Sequence, residues 1–316
     1  MLYKVLFIII CSFILILGSC ASTPASAEEY FSIGMAYFDL GRYEEAEKWL
    51  NRARQADRTM VASTYNLGRL AYERKRYEEA VEYFESILRR DPDNILALKA
   101  AAYTRIMMGD LNNAEKHYSR VLTLVPESAD NGYNHALVLY AMGRFSDAEE
   151  VLERYPFALQ ENKDVHLLHA RCQKAQNKID AINNYSSWLI LYTDHKARFE
   201  YAQVLEHHQF YARALEEHRK NLAETTATSV DPKRSDIRFS LARVLLTADS
   251  ASGEGIVELE GAVRDGFSDI EAVEELLKID RISTANANSI RSTITNMRRA
   301  LSENESENEN ESDNED

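Results

Sequence analysis

The sequence predicts an all-α protein that is built from repeated pairs of helices. Its 316 residues include only 11 glycines and 5 prolines. A strand-rich protein of this length needs many turn residues, so this composition favours long helices with short connections. Small residues also recur with a period of 34, a length that is typical of helix-pair repeats. This first series consists of Gly34, Gly68, Ala102, Ala136 and Ala170.

A second series of small residues supports the same period. Its alanines follow the positions of the first series at a constant offset and repeat with an identical spacing: Ala46, Ala80, Ala114 and Ala148. Pro92 and Pro126 repeat at the same interval and are placed to end the second helix of a pair. Small side chains allow two helix axes to approach to about 8–10 Å. After Ala170 the interval drifts but persists, so we expect about seven helix pairs.

The beginning of the chain predicts a secretory signal and a lipid anchor. A predominantly apolar run covers residues 5–17, which fits a secretory signal and is short for a membrane-spanning helix. The sequence LGSC at residues 17–20 resembles the lipobox of bacterial lipoproteins. This resemblance implies that the signal peptide, residues 1–19, is removed and that Cys20 receives acyl chains such as palmitate. Residues 20–27 then form a flexible tether; an ordinary cleaved signal with a chance cysteine is the alternative.

A close resemblance to the tetratricopeptide repeat (TPR) family is carried by two segments. They are residues 63–93, STYNLGRLAYERKRYEEAVEYFESILRRDPD, and residues 132–152, GYNHALVLYAMGRFSDAEEVL. The resemblance implies a unit of helix, tight turn and second helix, stacked into a right-handed solenoid over residues 28–266. Three glycines fall near the intervening turns, where a left-handed backbone favours glycine: Gly41, Gly109 and Gly143.

Residues 267–302 are predicted to form capping helices that cover the last repeat. The sequence SDIE at residues 268–271 fits a capping box. A stripe at helical spacing follows, formed by Ile290, Ile294, Met297 and Leu301. Residues 303–316 contain no apolar side chain, so we expect a disordered acidic tail.

Charge and residue usage argue against several functional classes. The formal net charge is −14 and the chain has no basic stripe, so we expect no nucleic-acid partner. Cys172 is the only cysteine in the body of the protein, which excludes an internal disulfide framework. The sequence has no glycine-rich phosphate loop or strand-borne nucleophile, so we predict neither an enzyme nor a cofactor. The histidines lack a convincing third metal ligand, so we predict no metal site and interpret five of them as surface residues: His166, His169, His207, His208 and His218.

The TPR resemblance also implies where a partner would bind. In this family, side chains at the second, fifth, ninth and twelfth places of each unit line an inner concave surface. The sixth place often holds a peptide backbone through asparagine, whereas the lysine–asparagine clamp for a C-terminal carboxylate is not present here. Aromatic residues exposed on such a surface commonly mark a binding site; packing of these aromatics against neighbouring units is the alternative. The predicted groove residues are Phe31, Met35, Phe38, Tyr65, Asn66, Arg69, Tyr72, Lys99, Tyr103, Tyr133, Asn134, Leu137, Tyr140 and Arg171.

These inferences predict an adaptor of the bacterial cell envelope, anchored through Cys20, that binds a polypeptide in an aromatic groove. We expect it to face the periplasm or the cell surface, and Ala21 favours the outer membrane under the sorting rule of enteric bacteria. A first alternative is an accessory lipoprotein of an envelope machine, because lipoproteins with such repeats serve outer-membrane assembly, pilus-secretin assembly and solute uptake. A second alternative is small-molecule binding or catalysis in a pore between helices.

Overall fold

The structure, a computed structural model, describes residues 25–226 and 228–312, with side chains through residue 303. The predicted signal peptide, Cys20 and most of the predicted tether lie outside the described residues. The described chain forms seventeen α-helices and one short 3-10 helix, Leu276–Lys278. The α-helices are α1 (Ala27–Asp39), α2 (Tyr43–Ala56), α3 (Val61–Glu73), α4 (Tyr77–Leu88), α5 (Ile95–Met107), α6 (Leu111–Leu124), α7 (Ala129–Ala141), α8 (Phe145–Glu153), α9 (Pro156–Glu161), α10 (Lys163–Ala175), α11 (Ala181–Leu191), α12 (His195–His207), α13 (Tyr211–Glu224), α14 (Arg234–Ala248), α15 (Gly253–Arg264), α16 (Ile270–Glu275) and α17 (Thr284–Ser312).

The helix boundaries follow the period of the small residues. The first helices of five successive repeats begin one full period apart, at Ala27, Val61, Ile95, Ala129 and Lys163. The second helices of the first four repeats begin at the same interval: Tyr43, Tyr77, Leu111 and Phe145. The all-α fold class predicted from the sequence is therefore confirmed.

Side-chain caps and left-handed residues set the ends of these helices. Ser26 and Glu29 form a reciprocal capping box at the start of α1, and Asn94 caps α5 through the amide of Ala97 at 3.1 Å. The turns between paired helices place one residue in the left-handed region, as the sequence predicts for Gly41, Gly109 and Gly143. Lys75 and Asn177 take the same conformation at the equivalent turns.

Small residues lie where paired helices touch. All seven alanines of the two periodic series are fully buried: Ala46, Ala80, Ala102, Ala114, Ala136, Ala148 and Ala170. A Cβ added at Gly34 would lie 2.9 Å from the Cγ of Leu50. A Cβ at Gly68 would lie 2.6 Å from the Cε1 of Phe84. These positions therefore hold small residues because a larger side chain would push the paired helix apart.

The chain forms two compact units that divide between Met142 and Gly143. In the first unit, α1–α7 bury clusters centred on large side chains such as Leu50, Phe84 and Tyr118. In the second unit, α10–α15 form three further pairs. The short helix α9, which lies between α8 and α10, has no counterpart in the earlier repeats and was not predicted from the sequence.

The last helices of the second unit pack against α14 and α15. Ile290, Ile294 and Met297 of the predicted stripe are buried in a cluster with Phe239 and Leu259, whereas Leu301 is exposed. The residue that caps α16 is Asp269, not Ser268, since its carboxylate accepts the Ala272 amide at 2.9 Å. Helix α17 continues to Ser312 and so extends into the segment for which the sequence predicts disorder. That segment contains neither proline nor glycine, so its sequence does not stop a helix once it has begun.

Among the described residues, no helix has the length and apolarity needed to cross a membrane.

Candidate functional site

Thirteen of the predicted groove residues lie in the first unit, on the first helices α1, α3, α5 and α7. Because these helices begin one repeat period apart, equivalent places in the repeats lie at the same angular position on each helix. The remaining residue, Arg171, lies on α10 of the second unit, where its Nε donates to Glu200 at 2.9 Å. The candidate site is therefore described for the first unit.

The residues of α1 are half-buried and pack against the core. Phe31, Met35 and Phe38 contact a cluster that includes Leu50 and Leu67. The guanidinium carbon of Arg69, on α3, lies 5.0 Å from the centre of the Phe38 ring. This is cation–π geometry, and it brings a predicted groove residue of α1 together with one of α3.

The two tyrosines Tyr72 and Tyr103 connect α3 with α5. Their ring centres are 5.5 Å apart, and Tyr72 is also 5.5 Å from Tyr77. Burial and a hydrogen bond between the Tyr72 and Tyr103 side chains raise the pKa of Tyr72 to about 12. Tyr72 therefore stays neutral at physiological pH. Tyr103 is exposed, so its ring is open to a partner.

Tyr65 and Asn66 are less available than the sequence suggested. The Tyr65 ring packs 5.6 Å from Phe84, a core residue. Asn66 is only 7% exposed; its Nδ2 donates to the Ala62 carbonyl at 2.9 Å, and its Oδ1 accepts from Arg69 at 3.1 Å. Because Asn66 is buried, its side chain offers little access to a peptide backbone, the role expected from the sequence.

On α5 and α7 the predicted groove residues range from half-buried to exposed. Tyr103 and Leu137 are exposed. The other four are half-buried: Lys99, Tyr133, Asn134 and Tyr140. These aromatics therefore contribute in part to core packing. Among α1, α3, α5 and α7, the most exposed apolar side chains lie on α5.

Two apolar residues of α5 extend this surface and were not singled out from the sequence. Leu96 and Met107 are exposed, and they lie seven residues before and four residues after Tyr103. This spacing places all three on one side of the helix. Leu96 occupies the second place of its unit, so the repeat register contained the signal that identifies it. We call the surface formed by Arg69, Tyr72, Leu96, Tyr103 and Met107 the first-helix face.

Two of the five histidines differ from the surface interpretation made from the sequence. His169 and His218 are buried, because they point into the packing between helices. The Nε2 of His169 lies 3.6 Å from Glu153 and 3.8 Å from Glu149, two carboxylates that sequence spacing did not connect with it. These three residues could present ligand atoms to a metal ion.

A lysine already compensates the charge of that cluster. The Nζ of Lys178 lies 2.6 Å from the carboxylate of the buried Glu149, which also accepts from Gln176 at 2.6 Å. Burial alone would raise the pKa of Glu149, but the hydrogen bonds from Lys178 and Gln176 lower it. Lys178 and Gln176 thus satisfy the buried Glu149 carboxylate in an ion-pair network, which gives this residue a structural role.

Cys172 has the properties of a small core residue. Its thiol is fully buried, and burial raises its pKa to about 12. The side chain is therefore a protonated thiol at neutral pH, as expected for a non-reactive buried cysteine.

Comparison with known proteins agrees with this helical architecture. Sequence profiles described as tetratricopeptide repeat match residues 21–61, 31–95 and 105–172. A crystal structure of a tetratricopeptide repeat protein from Parabacteroides merdae covers 80% of this chain and 98% of its own length, with a TM-score of 0.55 and 20% identity. The fold is a tetratricopeptide-repeat solenoid. A second tetratricopeptide-repeat structure, that of YrrB, covers 62% of this chain and 98% of its own, with a TM-score of 0.51 and 15% identity. YrrB is described as a TPR protein with an unusual peptide-binding site.

Similar proteins found by sequence match only part of this chain. An uncharacterized lipoprotein of Treponema pallidum is 26% identical over 164 residues, which are 52% of this chain and 84% of that protein. The protein O-mannosyl-transferase Tmtc3 of Drosophila melanogaster is 29% identical over 126 residues, which are 39% of this chain. The alignment covers only 14% of that transferase. The TPR fold is a scaffold for protein–protein interaction, and proteins of this fold generally bind proteins or peptides.

Proposed function

We propose that this TPR protein is a lipid-anchored adaptor of the bacterial cell envelope, which binds a polypeptide on its first-helix face. The observation that carries the proposal is the exposed apolar stripe of α5. Leu96 is 62% exposed, Tyr103 is 52% exposed and Met107 is 47% exposed. Large apolar side chains that share one side of a helix and remain in water favour a surface that a partner covers.

The chemistry of the first-helix face suits a peptide with both apolar and polar groups. Leu96 and Met107 offer apolar contact, and Met adapts its shape to different partners. The Tyr103 hydroxyl and the Arg69 guanidinium add hydrogen-bonding groups beside that surface. Arg69 is held in place by Phe38 and Asn66, so less side-chain entropy is lost when it binds.

Anchoring through Cys20 is the second part of the proposal. It is supported by the apolar segment and the LGSC sequence at the start of the chain, and by the lipoprotein name of the Treponema pallidum relative. Two or more acyl chains suffice for stable membrane residence, because each buried methylene contributes about 0.8 kcal/mol. The protein would then present the first-helix face close to the membrane that carries it.

Site-specific crosslinking tests the binding surface. A photoreactive p-benzoylphenylalanine replaces Tyr103 in the full-length chain, which is expressed in its native cell envelope and irradiated. The same residue replaces Lys116, which is exposed on α6, the second helix of the same repeat. We expect the variant with the photoreactive residue at position 103 to crosslink to one discrete polypeptide. The variant with that residue at position 116 should not crosslink to this polypeptide.

A matched set of substitutions measures how much the surface contributes. Once the crosslinked polypeptide is identified, Leu96, Tyr103 and Met107 are changed together to serine. We expect its affinity to fall at least about tenfold, because anchor residues of interfaces each cost about 1 kcal/mol or more when truncated. Unfolding in urea serves as the control, since exposed side chains contribute little to stability. Equal crosslinking at both positions, or an unchanged affinity in the correctly folded triple variant, would overturn the assignment.

A further inference from the structure

A positively charged cleft lies where α2, α3 and α4 meet in the first unit. The cavity has a volume of about 600 Å³ and is lined by three arginines, Arg54, Arg58 and Arg90. We call it the arginine cleft. The apolar side chains of Val61 and Ile87 form part of its wall. None of these residues belongs to the first-helix face.

Among the residues that the structure describes, no carboxylate forms a salt bridge with any of the three arginines. Arg54 donates to the Oδ1 of Asn51 at 3.2 Å and lies 5.4 Å from the centre of the Tyr83 ring. Arg90 donates to the main-chain carbonyl of Arg58 at 3.1 Å. These contacts hold the Arg54 and Arg90 side chains in place without neutralising their charge.

This arrangement contrasts with other arginines of the same unit. Arg74 pairs with Glu44 and Glu47, and Arg76 also pairs with Glu47. The chain contains 51 acidic and 37 basic residues, so carboxylates are in excess. The cleft is therefore lined by more cations than carboxylates, although carboxylates are in excess in the chain as a whole.

Nearby carboxylates do not cancel the charge of the cleft. Asp91 also lines it, and its Oδ2 accepts from the Nδ2 of Asn94 at 3.1 Å. Asp57 lies close enough to Arg90 to interact electrostatically, but its Oδ1 accepts from both the amide and the hydroxyl of Thr59 at 2.7 Å. The lining of the cleft retains more positive than negative charge.

The start of α3 adds to the positive potential at this place. Val61 is the first residue of α3, and the preceding residue, Met60, provides no side-chain cap. The first amide groups of a helix are hydrogen-bond donors without a partner inside the helix, and they favour a nearby anion.

We propose that the arginine cleft binds a small organic molecule that carries at least two oxyanion groups, either phosphates or carboxylates. Guanidinium groups bind both groups through paired hydrogen bonds. The volume falls within the range of small-molecule sites, and Val61 and Ile87 can contact the carbon skeleton of such a ligand. This function is separate from polypeptide binding on the first-helix face, and neither depends on the other.

Calorimetric titration with two defined probes tests the proposal. Pyrophosphate represents the phosphate class and citrate the carboxylate class; each is titrated into the purified full chain at about 150 mM salt, which screens weak surface attraction. We expect saturable one-to-one binding of at least one probe. The probe that binds more tightly assigns the class of the natural ligand, and either preference supports the site.

Two variants connect binding with the cleft. Arg58 and Arg90 are both exposed, so changing both to glutamine should leave the fold intact. Probe binding should weaken at least about tenfold, because charge-assisted hydrogen bonds are lost. The matched control is Arg52→Gln on α2, the helix that also carries Arg54. The guanidinium of Arg52 lies 4.5 Å from the centre of the Trp49 ring and does not line the cleft. The affinity of this variant should equal that of the unmodified protein.

Several results would overturn the proposal. They are the absence of saturable binding with both probes, equal affinities in the R58Q/R90Q and R52Q variants, and binding only to an oligoglutamate peptide or to vesicles of anionic lipid. Circular dichroism and the urea midpoint establish that each variant is folded before it is compared.

Discussion

The close approach of α3 and α4 at Gly68 leads to a quantitative prediction for Gly68→Ala. An added Cβ would lie 2.6 Å from Cε1 and 2.8 Å from Cζ of Phe84. Favourable contacts between carbon atoms are about 3.5–4.0 Å, so the new methyl group is about 1 Å too close. Phe84 is buried and its ring packs against Tyr65, so it cannot swing into solvent to make room.

The expected cost follows from two opposing effects. Overpacking a buried contact costs about 1–3 kcal/mol. Alanine in place of glycine within a helix raises the free energy of unfolding by about 0.8–1.0 kcal/mol, because alanine has the higher helix propensity. We therefore expect Gly68→Ala to lower the free energy of unfolding by up to about 2 kcal/mol. Gly253→Ala is the control, because no atom lies within 4 Å of the added Cβ, and we expect it to be neutral or slightly stabilising.

Urea unfolding followed by far-ultraviolet circular dichroism measures both variants. Adding Phe84→Leu to Gly68→Ala should recover part of the loss, because the shorter side chain removes the ring atoms that meet the methyl group. If Gly68→Ala is as stable as Gly253→Ala, close helix contact does not explain the small residue at this place in the repeat.

Three further predictions concern the anchor and two buried groups. Cys20→Ala should abolish incorporation of labelled palmitate and release the protein from membranes, whereas continued labelling would exclude this anchor. Cys172 should react with a thiol reagent only after unfolding, because burial raises its pKa to about 12; rapid reaction of the folded protein would contradict this. Burial lowers the pKa of His218 to about 4, so the unfolded chain binds this proton first and stability should decrease as the pH falls from about 6.5 towards 4. His218→Gln should make the free energy of unfolding depend less on pH, by at most about 1.4 kcal/mol per pH unit. Urea unfolding at each pH measures this dependence; if it is unchanged in the variant, His218 is not its cause.

The repeat register was the most predictable property of this protein. Each first helix from α1 to α10 begins where the period of small residues places it, because tight helix contact restricts the side chain at a fixed point of each unit. The position of Tyr103 on an exposed side of α5 followed from the same register. The period of the small residues thus predicted both the helix-pair fold and the first-helix face that we propose for binding.

Features without a repeating signal were not predictable in this way. Lys75 occupies a left-handed turn where other repeats have glycine, so its residue type gave no indication of its conformation. Asn66 is the residue type expected to bind a peptide backbone, but its hydrogen bonds go to Ala62 and Arg69 of its own helix, α3. The arginine cleft depends on Arg54 of α2, on Arg58 between α2 and α3, and on Arg90 after α4. Only the packing of these helices places the three residues around one cavity.

The order in which helices pack also bears on how the protein forms. In both units the helices contact mainly those next to them in the chain. Little loop-closure entropy is lost when such contacts form, and each pair can become ordered before distant segments are available. A polypeptide that leaves a ribosome or a translocation channel end-first can therefore acquire native structure progressively, pair after pair, while the rest is still in transit.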